Sequence, residues 1–201
     1  MIYVEYVSRR QGIALDDFHR VVRQVQEAWA AGHGADRLIL NAGRTWRLGP
    51  EPEYLGIWHT GDAGFQRLDA WTRAFQERGD VGDEATMSRV ARIDFAGCYR
   101  ALEPPVEARG GIYYIEIFRP AATDDAISLA YRERARRHAA FSLNLIAVRI
   151  GKLAPDPGGL AVWTLPDFAA LASIAGELDG STTPVQLTAA GVYADIGTEI
   201  L

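Results

Sequence analysis

One segment of this chain occurs twice, and that constrains its fold more than any other feature. Arg47-Leu48-Gly49-Pro50-Glu51-Pro52-Glu53-Tyr54-Leu55-Gly56-Ile57-Trp58 aligns without gaps on Lys152-Leu153-Ala154-Pro155-Asp156-Pro157-Gly158-Gly159-Leu160-Ala161-Val162-Trp163. Arg44 and Asp62 fall in step with Arg149 and Asp167. Two more blocks repeat in the same order. Tyr3-Val4-Glu5 matches Tyr114-Ile115-Glu116, and Ala96-Gly97-Cys98-Tyr99 matches Ala190-Gly191-Val192-Tyr193. Three blocks in one order point to a tandem duplication. The first repeat covers 1–103 and the second 110–201, divided by a Pro/Gly-marked connector from Glu103 to Gly110.

Both repeats follow one plan. The β-branched and aromatic runs Ile2 to Val7 and Ile112 to Phe118 predict opening strands. Leu15, Phe18, Val21, Val22, Val25 and Trp29 then recur at helical spacing, with Asp16 and Asp17 in the first turn. The counterpart helix is expected from about Asp124 to Phe141. Two strands joined by the Pro-x-Pro turn follow: Arg37 to Arg47 with Tyr54 to Thr60, and Asn144 to Lys152 with Leu160 to Leu165. Second helices are expected around Phe65 to Arg78 and Asp167 to Leu178, and the last strand of each repeat carries the Ala-Gly-x-Tyr block. The stretch Asp83 to Ile93 predicts a short extra helix in the first repeat.

A βαββαβ unit makes a four-stranded antiparallel sheet with both helices on one face. If the other face met water, its strands would alternate apolar and polar residues. They do not: both parities of Leu143 to Ile150 and of Tyr113 to Phe118 are largely apolar. The second face is therefore covered, and the sheet of the other repeat is available to cover it. The expected fold class is α+β, two ferredoxin-like repeats forming a dimeric α+β barrel within one chain.

The barrel plan, the Tyr-x-Glu opening strand and the Gly-x-x-Pro-x-x-Leu-x-Ile-Trp-His segment from Gly49 to His59 resemble the dimeric α+β barrel superfamily. Within it, the chain is similar to the two-copy NIPSNAP-like proteins. The superfamily includes cofactor-free monooxygenases, isomerases, haem-degrading enzymes and haem-dependent dismutases. The resemblance implies the fold and leaves the reaction open.

Composition narrows the partners. The 201 residues carry a net charge of −5, which argues against nucleic acid, because phosphate binding needs a concentrated basic face. The one basic run, Tyr131 to His138, reads as a solvated helix face. Cys98, the single cysteine, lies in an apolar stretch and reads as a small buried hydrophobe. Met1 leads straight into a strand-like run, and no apolar run approaches the roughly 20 residues that span a bilayer. No membrane association and a cytoplasmic location are expected. So is a self-sufficient monomer, a pseudo-dimer open to further homo-oligomerisation through other surfaces.

No motif names a reaction. The four histidines, His19, His33, His59 and His138, are dispersed without metal-ligand spacing, and no phosphate loop or nucleophile elbow is present. No cofactor is expected, although a helix histidine such as His19 or His138 is the kind of residue that ligates haem iron. His59, at a strand end, is the candidate general base. Glu5 and Glu116 share a strand parity with Tyr3 and Tyr114 and are expected between the sheets, paired with Arg44 and Arg149. Where the first repeat has Trp46, Tyr54 and His59, the second has Gly151, Gly159 and Thr164. The first repeat is therefore the expected host of a pocket for a small apolar or aromatic molecule, between sheet and helices. Tyr6 and Trp71 would form its walls, with Trp46 and Tyr54 beside them and Glu5, Arg44 and His59 as polar contacts. The alternative is a non-enzymatic interaction protein with a solid barrel.

Overall fold

A computed structural model describes residues 1–32, 37–45, 48, 53–78, 83–108, 110–173 and 184–196; side chains at 26–32, 62, 71, 72, 74–78 and 83–86 lie outside that description. The first half runs β1 (Ile2–Arg9), α1 (Leu15–Gly32), β2 (Arg37–Arg44), β3 (Tyr54–His59), α2 (Phe65–Arg78), α3 (Asp83–Val90) and β4 (Ala91–Ala101). The second half runs β5 (Ile112–Pro120), α4 (Asp124–Arg137), β6 (Ser142–Arg149), β7 (Gly159–Leu165) and β8 (Val185–Asp195). A helical turn opens at 171–173, where Asp167 accepts the amide of Ala170 at 2.9 Å; the remainder of that expected helix lies outside the described residues. The extra helix of the first half is α3.

All strand pairs are antiparallel, and the eight strands close into a barrel in the order β1-β3-β2-β8-β5-β7-β6-β4. The halves share their registers. Tyr3 lies opposite Trp58 and Glu5 opposite Gly56, just as Tyr114 lies opposite Trp163 and Glu116 opposite Ala161. Even the bulges recur: the β2 ladder to β3 slips between Leu38 and Leu40, and the β6 ladder to β7 between Leu143 and Leu145. Trp58 and Trp163 thus occupy matched strand positions.

Alternation along each strand sorts side chains into three cores. One lines the lumen and draws on all eight strands. It includes Ile2, Val4 and Tyr6 of β1, Leu55 and Ile57 of β3, Tyr113 and Ile115 of β5, and Leu160 and Val162 of β7. The second lies between the first-half sheet and α1 with α3, around Val7, Phe18, Val22, Val25 and Tyr54. The third lies between the second-half sheet and α4, around Tyr114, Phe118, Ile127, Tyr131 and Trp163. The lumen is packed by rings. Tyr6, Tyr99, Tyr113 and Tyr193 are all buried in it, and the Tyr6 and Tyr99 hydroxyls share a 2.9 Å hydrogen bond.

The Ala-Gly-x-Tyr block has a specific job in this packing. A Cβ on Gly97 would come within 2.8 Å of the Tyr99 ring, and one on Gly191 within 2.8 Å of the Tyr193 ring. Each tyrosine lies back over the glycine two residues before it, which only a residue without a side chain allows. Between them, Cys98 and Val192 take hydrogen bonds from the opposite half. Cys98 N donates to Leu153 O (2.7 Å) and Ile150 N to Cys98 O (3.0 Å). Val192 N donates to Leu48 O (3.0 Å) and Thr45 N to Val192 O (2.9 Å). The hairpin of each half grips the last strand of the other. Cys98 is buried, as its apolar context implies.

Candidate functional site

The two glutamates of the Tyr-x-Glu strands stand on the helix side of the sheet, not between the sheets as their sequence suggests. The opposite parity, Ile2-Val4-Tyr6 and Tyr113-Ile115, is claimed by the lumen, so Glu5 and Glu116 share their face with Val7 and Phe118. Their expected partners change accordingly. Arg149 pairs with Asp156, on the hairpin, and not with Glu116.

Glu116 is satisfied instead by the helix above it. It is 1% exposed, and its Oε1 accepts from Arg134 Nη1 of α4 at 2.5 Å. Its Oε2 accepts from Trp163 Nε1 at 3.3 Å. The Arg134 guanidinium lies 5.2 Å from the Trp163 ring centroid, a cation–π distance. Tyr114 and Tyr131 border the same carboxylate; burial first, and then the Glu116 charge, push both phenols well above their ordinary value. The basic run that reads as solvated is therefore split. Arg132, Arg136 and Arg137 face water, while Tyr131 and Arg134 turn inward. The helical spacing Ile127, Tyr131, Arg134 (i, i+4, i+7) is the signal that could have found them.

The first half builds the same floor. Tyr3, Glu5 and Trp58 hold the registers of Tyr114, Glu116 and Trp163. The helix above also matches. Residues 18, 19, 22 and 25 of α1 are buried and 20, 23 and 24 exposed, and residues 127, 128 and 131 of α4 are buried with 129, 132 and 133 exposed. This puts Phe18 in the place of Ile127, His19 in that of Ser128, Val22 in that of Tyr131 and Val25 in that of Arg134. The lid differs. Two valines replace the tyrosine and arginine, and Tyr3 and Glu5 are partly exposed where Tyr114 and Glu116 are buried. Tyr54 and His19 complete this layer, with ring centroids 6.1 Å apart and Phe18 at 4.4 Å from Tyr54.

The sequence-predicted site residues divide between two faces. Glu5 and Tyr54 face the first-half helix layer. Tyr6 does not wall that layer; it sits in the lumen on Tyr99, because its parity is that of Ile2 and Val4. Arg44 and His59 share the lumen parity of Ala42 and Ile57, at opposite ends of the β2–β3 ladder. Trp46 lies outside the described residues, and Trp71 falls within α2 with its side chain outside them. Thr164, at the place matching His59, donates to Asn144 Oδ1 at 2.8 Å. His138 caps the end of α4 and stacks on Phe141 at 5.0 Å. Among the described residues no three His, Cys, Asp or Glu side chains group as a metal site, and no helix is long and apolar enough to cross a membrane.

No protein-family model matches the chain, and no curated protein sequence does. Solved structures do match. A chlorite dismutase-like protein, TA0507, is 13% identical over 98% of this chain and 95% of its own, with a TM-score of 0.57. The fold is that of the dimeric α+β barrel. A haem-binding protein from Thermus thermophilus is 11% identical over 96% of this chain and 90% of its own (TM-score 0.57). A chlorite dismutase variant from Candidatus Nitrospira defluvii, in complex with cyanide, is 8% identical over 97% and 91% (TM-score 0.58). The barrel accounts for nearly the whole chain, and at these identities the likeness is one of fold.

Proposed function

We propose that this protein binds a small, largely aromatic molecule between the first-half sheet and α1, with the second half as its scaffold. One observation carries this reading: both halves hold Tyr-x-Glu and Trp in the same registers, and among the described residues a tyrosine and an arginine of α4 pack over the second-half glutamate where valines stand at the matching positions of α1. In the first half the matching helix positions are Val22 and Val25, and Glu5 is half-buried where Glu116 is fully buried. A carboxylate, a buried imidazole and a phenol then face a layer walled by aromatic rings, a set that supports metal-free proton transfer. In this reading the chain arose by tandem duplication of one repeat, 1–103 and 110–201, and stands nearest to NIPSNAP-like members of the superfamily.

Haem is the group that the structural neighbours bring to mind. The second-half layer does not fit it. Trp163, Tyr131, Phe118 and the Glu116–Arg134 pair fill the space between sheet and helix, and the inward positions of α4 are Ile127, Ser128, Tyr131 and Arg134, none of them a histidine. In the first half His19 does point inward, but it meets the rings of Phe18 and Tyr54 edge-on.

The second reading, an interaction protein with a solid barrel, is favoured by the lumen itself, which is packed by four tyrosines. Binding separates the two. Single-ring aromatic compounds are tested on the full chain by saturation-transfer NMR. Val22→Tyr, which copies the second-half lid, is expected to abolish their binding while the chain stays folded. Undiminished binding by that variant would refute the first-half site, and no binding by the unaltered chain would favour the solid barrel.

A further inference from the structure

The connector between the halves crosses one mouth of the barrel. Pro104 and Pro105 remove two backbone donors and hold the residues before them extended, so few amides are left to anchor this stretch. Those few are placed on opposite walls. Leu102 N donates to Ile146 O (2.8 Å) and Val106 N to Asn144 O (2.8 Å), both on β6. Ala108 N then donates to Ile39 O of β2 at 3.0 Å. In the closed order of eight strands β2 and β6 stand four places apart, so residues 102–108 run from wall to wall. Two of the anchor points are the bulges: the slips leave Ile39 out of the β2–β3 register and Asn144 out of the β6–β7 register.

Each end of this crossing is bonded to the half that it does not continue. Leu102 extends β4 of the first half and bonds β6 of the second; Ala108 leads into β5 of the second half and bonds β2 of the first. Side chains hold it from outside. Arg37 of β2 donates to Pro105 O at 2.6 Å, and Glu103 accepts from Arg132 Nε of α4 at 2.8 Å and from the Ser128 hydroxyl. Val106 faces water, whereas Ala108 is buried in the lumen core that also holds Tyr113. We infer that residues 102–108 are a strap that keeps this mouth of the barrel shut. Its release as one unit, with the sheet intact, is what uncovers Tyr113.

Two measurements on the full chain test this: amide hydrogen exchange by NMR, and tyrosine nitration by tetranitromethane mapped by mass spectrometry. Ala108→Pro removes the amide that reaches β2, and Arg37→Ala removes an outside anchor. Both leave the Val106 bond to Asn144 in place. Each should nevertheless speed exchange of the Val106 amide by about ten-fold, the net contribution of one hydrogen bond. Nitration of Tyr113 should rise by a similar factor. Tyr6, beside the hairpin end of β3, and the Val162 amide of β7 should stay as they are in the unaltered chain. Arg37→Ala keeps the test decisive if Ala108→Pro does not fold. An unchanged Val106 rate in the folded variants would mean that the strap does not open as a unit, and would overturn the inference. Faster Val106 exchange with no gain in Tyr113 nitration would overturn closure of the mouth. Equal gains at Val106, Tyr6 and Val162 would assign the effect to global unfolding and overturn it as well.

Discussion

Glu116 and Arg134 show how much one buried charge depends on its partner. Removing two ions from water costs several kcal/mol each, and only close pairing with further hydrogen bonds offsets it. Arg134 and Trp163 supply that pairing here. Truncating either member strands the other, so Glu116→Ala or Arg134→Ala should each destabilise the chain by about 3–5 kcal/mol, read from urea unfolding. The double variant should cost less than the sum of the two, because the stranded charge is then gone. Of this pair, only the glutamate was legible in the sequence. Its repetition marked it, whereas Arg134 was hidden among arginine and glutamate neighbours in a run whose charge says nothing about direction. Direction comes from helical phase, and the phase is set by Ile127 and Tyr131, which pack into the apolar layer beneath α4. Glu5 is equally visible, yet the sequence does not reveal its face. In a strand apolar on both parities, composition does not say which face meets the helices.

At the level of single elements, the turns and strands were the most readable. The Pro155-Asp156-Pro157 turn, the opening strands and α1 stand where pattern and turn chemistry put them; the matching turn of the first half lies outside the described residues. Helix α4 ends at Arg137, short of Phe141, with His138 at its C-cap; the apolar residues beyond it turn into β6. What periodicity could not reveal was the purpose of the glycines in β4 and β8. A side chain at Gly97 would press on Tyr99 and also on Ala154, whose Cβ would be 2.7 Å away. At Gly191 it would press on Tyr193 and on the carbonyl of Leu48, 3.2 Å away. Overpacking of this kind costs about 1–3 kcal/mol. Gly97→Ala and Gly191→Ala should each lower stability by that amount in denaturant titrations. Tyr99→Leu should relieve part of the Gly97→Ala penalty, since the ring is what the new methyl meets.

For the molecule as a whole, closure is the feature with the widest reach. Within each half the strands pair along most of their length, but the seams are short: Ala42–Arg44 with Tyr193–Asp195, and Tyr99–Ala101 with Ala147–Arg149. The hairpins add the reciprocal bonds through Cys98 and Val192. Because every sheet neighbour comes from the same chain, the core needs no second molecule. Diluted samples should remain folded as monomers, with light scattering and circular dichroism unchanged over a wide concentration range; coincident dissociation and unfolding would contradict this. The barrel was legible because both parities of its strands are apolar. The site was less so, since it depends on how two copies of one floor differ above the sheet. That difference is available only to a chain that writes both halves separately. In an assembly of identical subunits, any change to the lid appears on both sides at once. A mutation that seals one chamber then seals its twin. Here position 25 and position 134 are encoded independently, so the packing over one sheet can change while the packing over the other stays as it is.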